Sequence, residues 1–526
     1  MVTRPFKTPG VYINPERVLN DPARVLRTGV PVFFGLIMRA DLDACNDRLP
    51  EDNRFGVVPL ALGSDVGIVR RSSHLRLPPR MYSTAWDRRL GDPSSHLYGL
   101  QNLRAGEPMP APARTAYTPN AAAQSAPASS LPKTVNSPTF SAKPQRFTLW
   151  PQFLDTYGDL REYGLLVHAV RGFFENEGDL CYVQVMCFEK PPTYATVTQA
   201  LATLAPYDEF DLVCAPDLAW LAVKSAATAR QAALAAQIPT DEAVTAAKAA
   251  ALEVAVLQAA VLEHCHTTGD RVAILDSLIG DASLLGKPGN DDDPDQPDAG
   301  VQDQRRILTS NNGTLYYPWV RVQGGPAETG GCVPPCGHVA GVYNRCDRQI
   351  GVHKAPANEL LRGVIELQRM LNNLEQEPLN DIGVNCLRVF ARRGIRIWGA
   401  RTLGNLEEWR YVNVRRVFLT AGRWIERNMR DIVFEPHTPQ LWARVERDLT
   451  AYFTDLARRG ALLSSPDGGG FYVKCDAETN PPEMREAGCI VTEIGLAAAP
   501  PAEFIVVRVI HGPTGVQVES QVEPAA

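Results

Sequence analysis

The sequence lacks the features of a secreted, membrane-spanning or generally cationic protein. Its first residues, MVTRPFKTPGVYINPE, contain no apolar core of the kind that signal peptides carry, and its longest early apolar run, VPVFFGLIM, is too short to cross a bilayer. The formal net charge is -6 over 526 residues, which argues against general nucleic-acid binding. We therefore expect a protein that is made in the cytoplasm, with no direct membrane insertion and no nucleic-acid partner.

The short motifs of the common enzyme classes are also absent, since the chain contains no GxxxxGK[ST], HExxH or GxSxG. Cys332 and Cys336 lack the second ligand pair that a zinc site needs, and the acidic run 291–295 lacks the spacing of a calcium loop. His264 and His266 would point apart on a helix, which favours a cap or surface role over a shared metal ion. The sequence predicts no catalytic residue, no metal site and no cofactor.

The eleven cysteines are scattered and odd in number, which is unlike a small disulfide scaffold. Reduced, buried thiols are the simpler interpretation. Hydrophobic residues make up 45% of the chain and charged residues 21%, as is ordinary for a globular protein with a sizeable core.

Strand-like and helix-like segments alternate in the middle of the chain, whereas residues 105–146 are rich in Pro, Ala and Ser and read as a linker or loop. The expected fold class is therefore multidomain, with an α/β unit in the middle of the chain, an inserted segment and a separate α+β unit toward the C-terminus. The expected segments are the first strands (1–38), the insertion (39–146), the α/β unit (147–345), the α+β unit (346–510) and a C-terminal segment (511–526).

Three local patterns in the C-terminal part predict specific elements. Residues 358–371, NELLRGVIELQRML, predict an amphipathic helix, and residues 413–433 predict a second one. Residues 503–510, EFIVVRVI, are apolar at nearly every position, which predicts a strand at the centre of a sheet with cover on both faces.

The helix predicted at 413–433 would have two distinct faces. Arg416, Arg423, Arg427 and Arg430 gather opposite its apolar side, which predicts a rigid cationic row on an acidic protein. A solvated helix face is the alternative interpretation, because rows of charge on helices are common. The helix predicted at 358–371, with its own arginines, is a rival for the same role.

Many segments, taken together and in order, resemble the tail sheath proteins of contractile phage tails and related injection particles. The resemblance covers residues 1–38 and about 147–526, and residues 39–146 depart from the shorter link that is usual in the family. The segments are TPGVYINPE (8–16), RTGVPVFFG (27–35), HAVRGFFENEGDLCYVQV (168–185), TGDRVAILD (268–276), LYYPWV (315–320), VPPCGHVAGVYNRCDRQIGVHKAPANE (333–359), VNCLRVF (384–390), WGARTL (398–403), YVNVRRVF (411–418), IERNMRDIVFEPHTPQLW (425–442), GGFYVKCDAETN (469–480) and PPAEFIVVRV (500–509).

The resemblance implies a structural subunit that polymerises as six-fold rings in a helical array and contracts to drive an inner tube through an envelope. It implies that residues 147–345 form an outer α/β domain, and that residues 346–510 form an inner α+β domain completed by an N-terminal arm (1–38) and a C-terminal arm (511–526). It implies neighbouring sheath subunits, the tube protein, and baseplate and cap proteins as partners. Assembly would occur in the bacterial cytoplasm, within a phage tail or a tail-like particle that is released in some systems. A cap or baseplate-proximal paralogue and, in a different class, a soluble enzyme without a recognisable motif are the alternatives.

The same resemblance assigns roles to particular residues. The cationic row would face the tube, because sheath subunits contact the tube through a helix of the C-terminal domain. Strands at both ends of the chain would add to the sheets of neighbouring subunits through main-chain hydrogen bonds. The residues expected in these terminal strands are Gly10, Val11, Tyr12, Ile13, Val516, Gln517 and Val518.

Overall fold

The computed structural model describes residues 26–49, 56–57, 139–140, 143–238, 240–278, 299–429, 432, 434–463, 470–486, 490–503, 506–512 and 515–521. The chain divides into two compact units, one of residues 1–45 with 140–526 and one of residues 46–139. The smaller unit lies within the predicted insertion. The larger unit contains nearly all of the described residues.

Strands are spread along the whole described chain. They are β1 (Pro31–Met38), β2 (Gly56–Val57), β3 (Thr139–Phe140), β4 (Gln145–Phe147), β5 (Cys181–Phe188), β6 (Leu212–Cys214), β7 (Val272–Asp276), β8 (Gly313–Tyr317), β9 (Val320–Val322), β10 (Cys332–Val333), β11 (Val364–Leu367), β12 (Val384–Phe390), β13 (Gly394–Ile397), β14 (Phe471–Lys474), β15 (Glu493–Leu496), β16 (Val506–Gly512) and β17 (Gly515–Gln521).

Helices separate most of the strands. They are α1 (Arg39–Arg48), α2 (Trp150–Tyr157), α3 (Leu166–Glu175), α4 (Tyr194–Ala202), α5 (Pro216–Ala235), α6 (Thr240–Glu253), α7 (Ala255–Thr268), α8 (Ala299–Ile307), α9 (Cys336–Gln349), α10 (Asn373–Asp381), α11 (Val412–Asn428), α12 (Pro439–Arg458) and α13 (Pro482–Glu486).

One eight-stranded sheet organises the larger unit, with the order β13-β12-β8-β7-β6-β1-β5-β4. The strands from β12 to β5 in this order are parallel to their neighbours, and β13 and β4 pair antiparallel at the two edges. Every residue of β6, β7 and β8 is buried, which is expected where helices cover both faces of a parallel sheet. The fold is therefore mixed in helix and sheet content, with an α/β layer at its centre.

The sheet takes strands from four of the segments that the sequence distinguishes. β1 comes from the N-terminal segment 1–38, β4 lies at the end of the insertion 39–146, β5 to β8 come from 147–345, and β12 and β13 come from 346–510. The boundary expected at residue 346 therefore does not separate two sheets. Short helices and strands that follow β13 extend this unit toward the C-terminus.

Two predictions of secondary structure are wrong. Residues 358–371 form no helix: Asn358 and Gly363 have positive φ angles of 59° and 74°, and the backbone N–H of Leu361 donates to Ile395 on the edge strand β13 at 2.9 Å. The tertiary pairing overrides the helical pattern. The apolar segment 503–510 contributes to β16, which within the described residues pairs with β17 alone and so is not a central strand.

One helical stretch, Thr245–Thr268, is long and apolar enough by length and composition to cross a membrane, contrary to the expectation that the chain has no such segment. Half of its apolar window is buried within the protein, and its second part, α7, packs against β7. This burial is what a core helix of a globular protein requires.

Helices α3 and α9 pack unusually closely against each other. A Cβ atom added at Gly337 would lie 1.9 Å from the carbonyl oxygen of Ala169, and one at Gly341 would lie 2.6 Å from that of Phe173. Only glycine lets the two backbones approach to this extent. The segment VPPCGHVAGVY therefore carries two glycines one helical turn apart because the α3–α9 contact leaves no room for side chains.

Two buried carboxylates hold the N-termini of these same helices. Asp217 accepts hydrogen bonds from the backbone N–H groups of Leu165 and Leu166 at 2.7 and 2.9 Å, at the start of α3. Asp276, at the end of β7, accepts from the N–H of Cys336 at 2.8 Å, at the start of α9. A carboxylate at a helix N-terminus satisfies donors that have no partner within the helix.

Burial raises the pKa of both carboxyl groups, that of Asp217 to about 6 and that of Asp276 to about 7. A raised pKa in the folded state means that the folded protein binds the proton more tightly than the unfolded chain does. The stability that protonation contributes is present at low pH and is lost as the pH rises through about 7.

We predict that Asp276→Asn reduces the loss of stability that occurs as the pH rises. From pH 5 to pH 8, the free energy of unfolding of the wild type should fall by about 2–3 kcal/mol relative to that of the variant. Denaturant unfolding at several pH values measures this difference. Asp303→Asn, at a half-exposed surface carboxylate paired with Arg306, is the matched control and should follow the wild type. Parallel profiles for wild type and Asp276→Asn would contradict the assignment.

Candidate functional site

The helix α11 is the element on which the sequence places the cationic row. It begins at Val412 and ends at Asn428, with Met429 as its C-cap, so it is shorter than the predicted helix 413–433. Its N-terminal half is buried on nearly every side rather than on one apolar face. The buried residues are Val412, Asn413, Val414, Arg415, Arg416, Val417, Leu419, Ala421, Arg423 and Trp424.

Arg416 lies at the centre of a buried ionic cluster. Its Nη1 and Nη2 donate to the two carboxylate oxygens of Asp347 at 2.9 and 2.6 Å, and Nη2 also donates to Asp211 at 2.9 Å. The side chains of Arg416 and Asp347 are each 2% exposed and that of Asp211 is 5% exposed. Burial opposes the charge of Arg416, but the two carboxylates more than offset it, so the pKa of Arg416 is raised and the guanidinium stays charged.

The cluster also fixes the point where the chain enters β1. The carboxylate of Asp211 accepts hydrogen bonds from the backbone N–H groups of Gly29 and Val30, at 3.1 and 2.8 Å. Gly29 has a φ of 70°, and a Cβ there would lie 2.7 Å from the Cα of Asn344. The Nδ2 of Asn344 donates in turn to the carbonyl of Gly29 at 3.1 Å. Arg416 thus connects α11 to α9, to the start of β6 and to the root of the N-terminal segment.

Two further arginines of α11 also form contacts within the protein. Arg415 donates from Nε to Asn312 at 2.7 Å and lies over the ring of Trp409, 4.6 Å from its centroid. Arg423 is 6% exposed and donates from Nη2 to the carbonyl of Asp208 at 2.8 Å. These contacts bind α11 to the loops that flank β6 and β8.

The prediction that Arg416 and Arg423 belong to an exposed cationic row is therefore wrong. Both are buried, and a buried guanidinium contacting its own protein cannot face a partner. Arg427 is exposed near the end of α11, as the row requires. Arg430 lies outside the described residues. The rival arginines are engaged as well, since Arg362 pairs with Glu177 and Arg369 with Glu375.

The terminal strands are described at one end of the chain only. Gly10, Val11, Tyr12 and Ile13 lie outside the described residues. Val516, Gln517 and Val518 lie on β17, where they pair antiparallel with His511, Ile510 and Val509 of β16.

No group of three or more His, Cys, Asp or Glu side chains that could hold a metal ion occurs in the described part of the chain. The ten cysteines described there are free thiols, and Cys332 and Cys336 are both buried. His264 is buried while His266 is exposed, so the two side chains diverge as predicted. The expected cap or surface role is wrong for His264, whose Nε2 lies inside the protein, 3.4 Å from Nη1 of Arg271. A cavity of about 360 Å³ beside α3 is lined in part by Arg171, whose guanidinium already contacts Glu175 at 2.7 Å and the carbonyl of Gln323 at 2.9 Å.

Sequence reasoning missed a second group of arginines, on the β12–β13 hairpin. Its signal in the sequence is RVFARRGIR, residues 388–396, in which four of nine residues are arginine.

We predict that Arg416→Met lowers the free energy of unfolding by about 3–5 kcal/mol, because it leaves two buried carboxylates without their countercharge. Denaturant unfolding measures the loss. Arg427→Ala, an exposed change on the same helix, should stay within about 0.5 kcal/mol of the wild type.

Adding Asp347→Asn to Arg416→Met should recover part of the loss, since it removes one of the two unpaired charges. If Arg416→Met unfolded with the same free energy as the wild type, the cluster would not be what holds α11 in place.

Comparisons with known proteins identify the family. The model of the phage tail sheath protein central domain matches residues 192–403, and that of the phage tail sheath C-terminal domain matches residues 406–510. A prophage major tail sheath protein of Pseudomonas aeruginosa (strain UCBPP-PA14) is 23% identical over 226 residues, which are 40% of this chain and 54% of the relative. The tail sheath protein of Burkholderia phage BcepMu is 26% identical over 204 residues, 37% of this chain and 42% of the relative. The matched region thus spans about half the length of these curated relatives.

Solved structures agree with the family models. A chain in the baseplate of the anti-feeding prophage is 26% identical, with a TM-score of 0.51, and the alignment covers 70% of this chain and 88% of that chain. A chain in the contracted sheath complex of the extracellular contractile injection system PVC shares the fold, at 24% identity and a TM-score of 0.52, over 71% of this chain and 87% of that chain. The two family models meet between residues 403 and 406, after the last strand of the large sheet. The chain belongs to the contractile tail sheath family.

Proposed function

We propose that this protein is the repeating subunit of a contractile sheath, which polymerises as six-fold rings around an inner tube and contracts to drive the tube through a target envelope. The match of both sheath domains, in order and over residues 192–403 and 406–510, is the observation that carries the proposal. Phage tails and tail-like injection particles such as the anti-feeding prophage and PVC are the assemblies in which the related chains occur. Assembly in the bacterial cytoplasm, with release of the finished particle in some systems, is part of the proposal.

Contraction would need no chemical step within the subunit. A lattice of rigid subunits can hold free energy as the difference between two sets of interfaces. The buried cluster around Arg416 supports this mechanism, because it fastens α11 to α9 and to the entry of β1. A subunit fastened in this way transmits displacement between its contact surfaces instead of deforming. Because the family is a structural one, the alternative of a soluble enzyme is not favoured.

We propose that the terminal strands link the subunits while the interfaces change. β17 belongs to a two-stranded sheet, and a strand in such a sheet has one edge that can pair with another chain. Val516, Gln517 and Val518 would form that link at the C-terminal end, and residues 10–13 would form it at the N-terminal end. The root of the N-terminal segment is fixed at Gly29 and Val30, so a pull on the arm would reach the large sheet.

We predict that the full chain, co-expressed with its tube protein, forms long hollow cylinders that electron microscopy can count and measure. Deletion of residues 1–15, or of residues 515–526, should leave a folded protein that sediments as a small species, because the main-chain links between copies are lost. The fold of each deletion variant is checked by its thermal unfolding transition. Cylinders of normal length from either deletion would contradict the role of that arm, and a full chain that stays small under all conditions would contradict the sheath function.

Arg427 remains the candidate for contact with the tube, together with Arg430 from the sequence. We predict that Arg427→Glu lowers the fraction of sheath that co-sediments with the tube, since a charge reversal at a polar interface turns attraction into repulsion. Arg306→Glu, another exposed arginine, is the matched control, and it should co-sediment as the wild type does. If Arg427→Glu co-sedimented with the tube as the wild type does at low salt, α11 would not be part of the tube interface.

A baseplate-proximal or cap paralogue is the second candidate. The match to a chain in the anti-feeding prophage baseplate supports this alternative. Such a paralogue would form single rings or short stacks in the experiment above. Long cylinders of many rings would favour the repeating sheath subunit.

A further inference from the structure

The β12–β13 hairpin carries four arginines within nine residues, and two of them oppose each other directly. In the antiparallel register, Arg388 on β12 pairs with Arg396 on β13. Like charges in directly opposed positions destabilise a strand pair. Arg392 and Arg393 are exposed in the connecting turn, so the whole tip of the hairpin is cationic.

Three of the four guanidinium groups are held in place by neutral acceptors. Arg388 donates from Nη1 to Asn373 and Gln376 at 2.6 and 2.9 Å, and Arg393 donates from Nη2 to the side chain of Asn358 at 3.0 Å. Arg396 donates from Nε to the carbonyl of Arg393 at 3.2 Å. Amide and carbonyl acceptors orient a guanidinium without neutralising its charge.

An aromatic ring adds to this arrangement. Arg388 and Arg393 both lie over the ring of Phe390, at 5.7 and 5.9 Å from its centroid, and Phe390 packs against Trp398 with 4.4 Å between ring centroids. The quadrupole of an aromatic ring attracts a cation that lies over its face. Arg388, Arg393 and Arg396 are therefore ordered by contacts within the hairpin and its surroundings.

Within the described residues, none of these four arginines has a carboxylate within the 4.0 Å of an ion pair. Other arginines of the same part of the chain do: Arg401 pairs with Glu503 at 2.9 Å, and Arg345 lies 3.6 Å from Glu359. Arg401 and Arg345 thus have acids beside them, whereas the four hairpin arginines have no countercharge among the described residues. A surface of this kind attracts a carboxylate-rich partner.

We propose that the hairpin, residues 388–396, docks on an acidic surface of a second copy of this chain. The chain has a formal net charge of -6 and a sequence pI of about 5.9, so a copy is itself an anionic partner, and a concentrated cationic site on one copy complements it. This inference rests on the proposed function, since it assigns one of the contacts by which the subunits associate. Four arginines on an otherwise acidic protein are a weak basis for nucleic-acid binding, which needs many phosphate contacts.

The test is the salt-dependent polymerisation of the full chain, followed by sedimentation and electron microscopy. The double variant Arg392→Glu with Arg393→Glu should raise the critical concentration for polymerisation at least about tenfold, the equivalent of a loss of 1.4 kcal/mol per contact. In the wild type, the critical concentration should rise between about 0.05 M and 0.5 M salt, and the variant should lose most of that dependence.

The matched control is Arg444→Glu with Arg447→Glu, which changes the net charge equally at two arginines of α12 that lie beside Asp448. The proposal requires the control to polymerise close to the wild-type concentration, and an equal defect in both variants would overturn it as a general effect of charge. Normal polymerisation of the hairpin variant, with loss only of tube binding or of binding to a labelled DNA duplex, would also overturn it. A wild-type chain that never associates would overturn both the inference and the proposed function, whereas a normal wild type with an unaffected hairpin variant would overturn the inference alone.

Discussion

A charge that is removed from water must find an opposite charge or hydrogen-bonding groups within its own protein, and the larger unit of this chain is built around that constraint. Arg416, Asp347 and Asp211 are nearly inaccessible to solvent, and none of them could be buried alone without a cost of several kcal/mol. Because the three residues come from α11, α9 and the start of β6, their pairing determines how those elements meet. The same Asp211 holds the backbone at Gly29 and Val30, so the entry of β1 depends on it as well.

The buried carboxylates of Asp217 and Asp276 apply the same constraint to the helices. Each lies against the N-terminus of a helix, where unpaired N–H groups and the helix dipole favour a negative charge. The two helices concerned, α3 and α9, are also the pair that glycines allow to pack backbone against backbone. Polar contacts therefore set the positions of helices that apolar packing alone would leave free to slide, and this is consistent with a subunit that moves as a rigid body in a lattice.

The sequence predicted the α/β layer at the centre of the fold, because apolar runs such as VPVFFGLI and DRVAILD, which form β1 and β7, are bounded by turn residues. It did not predict several helices, among them α9. It failed at residues 358–371, where a helical pattern is overridden by pairing with β13, and positive φ angles at Asn358 and Gly363 do not show in a hydrophobic periodicity. The sequence prediction failed for Arg416 and Arg423 because a helical wheel assumes that arginine lies in solvent. The acids that pair with the buried Arg416 come from positions 211 and 347, far away in the sequence.

The contrast between the two arginine groups shows what decides the role of such a residue. The arginines on α11 that the sequence singled out at 416 and 423 contact groups of their own chain and serve the fold. Three of the four on the hairpin are ordered by amide and carbonyl acceptors and an aromatic ring, and none of the four has an acid within ion-pair distance among the described residues. A lattice that has to exchange one set of contacts for another needs interfaces that are specific but separable. Charge pairs at a hydrated surface make a contact both specific and separable, because water and salt ions can replace each partner at small cost. An apolar interface of the same specificity would dissociate far more slowly. An ordered cationic hairpin that lacks an internal countercharge is therefore better suited to a contact between subunits than to the stability of one.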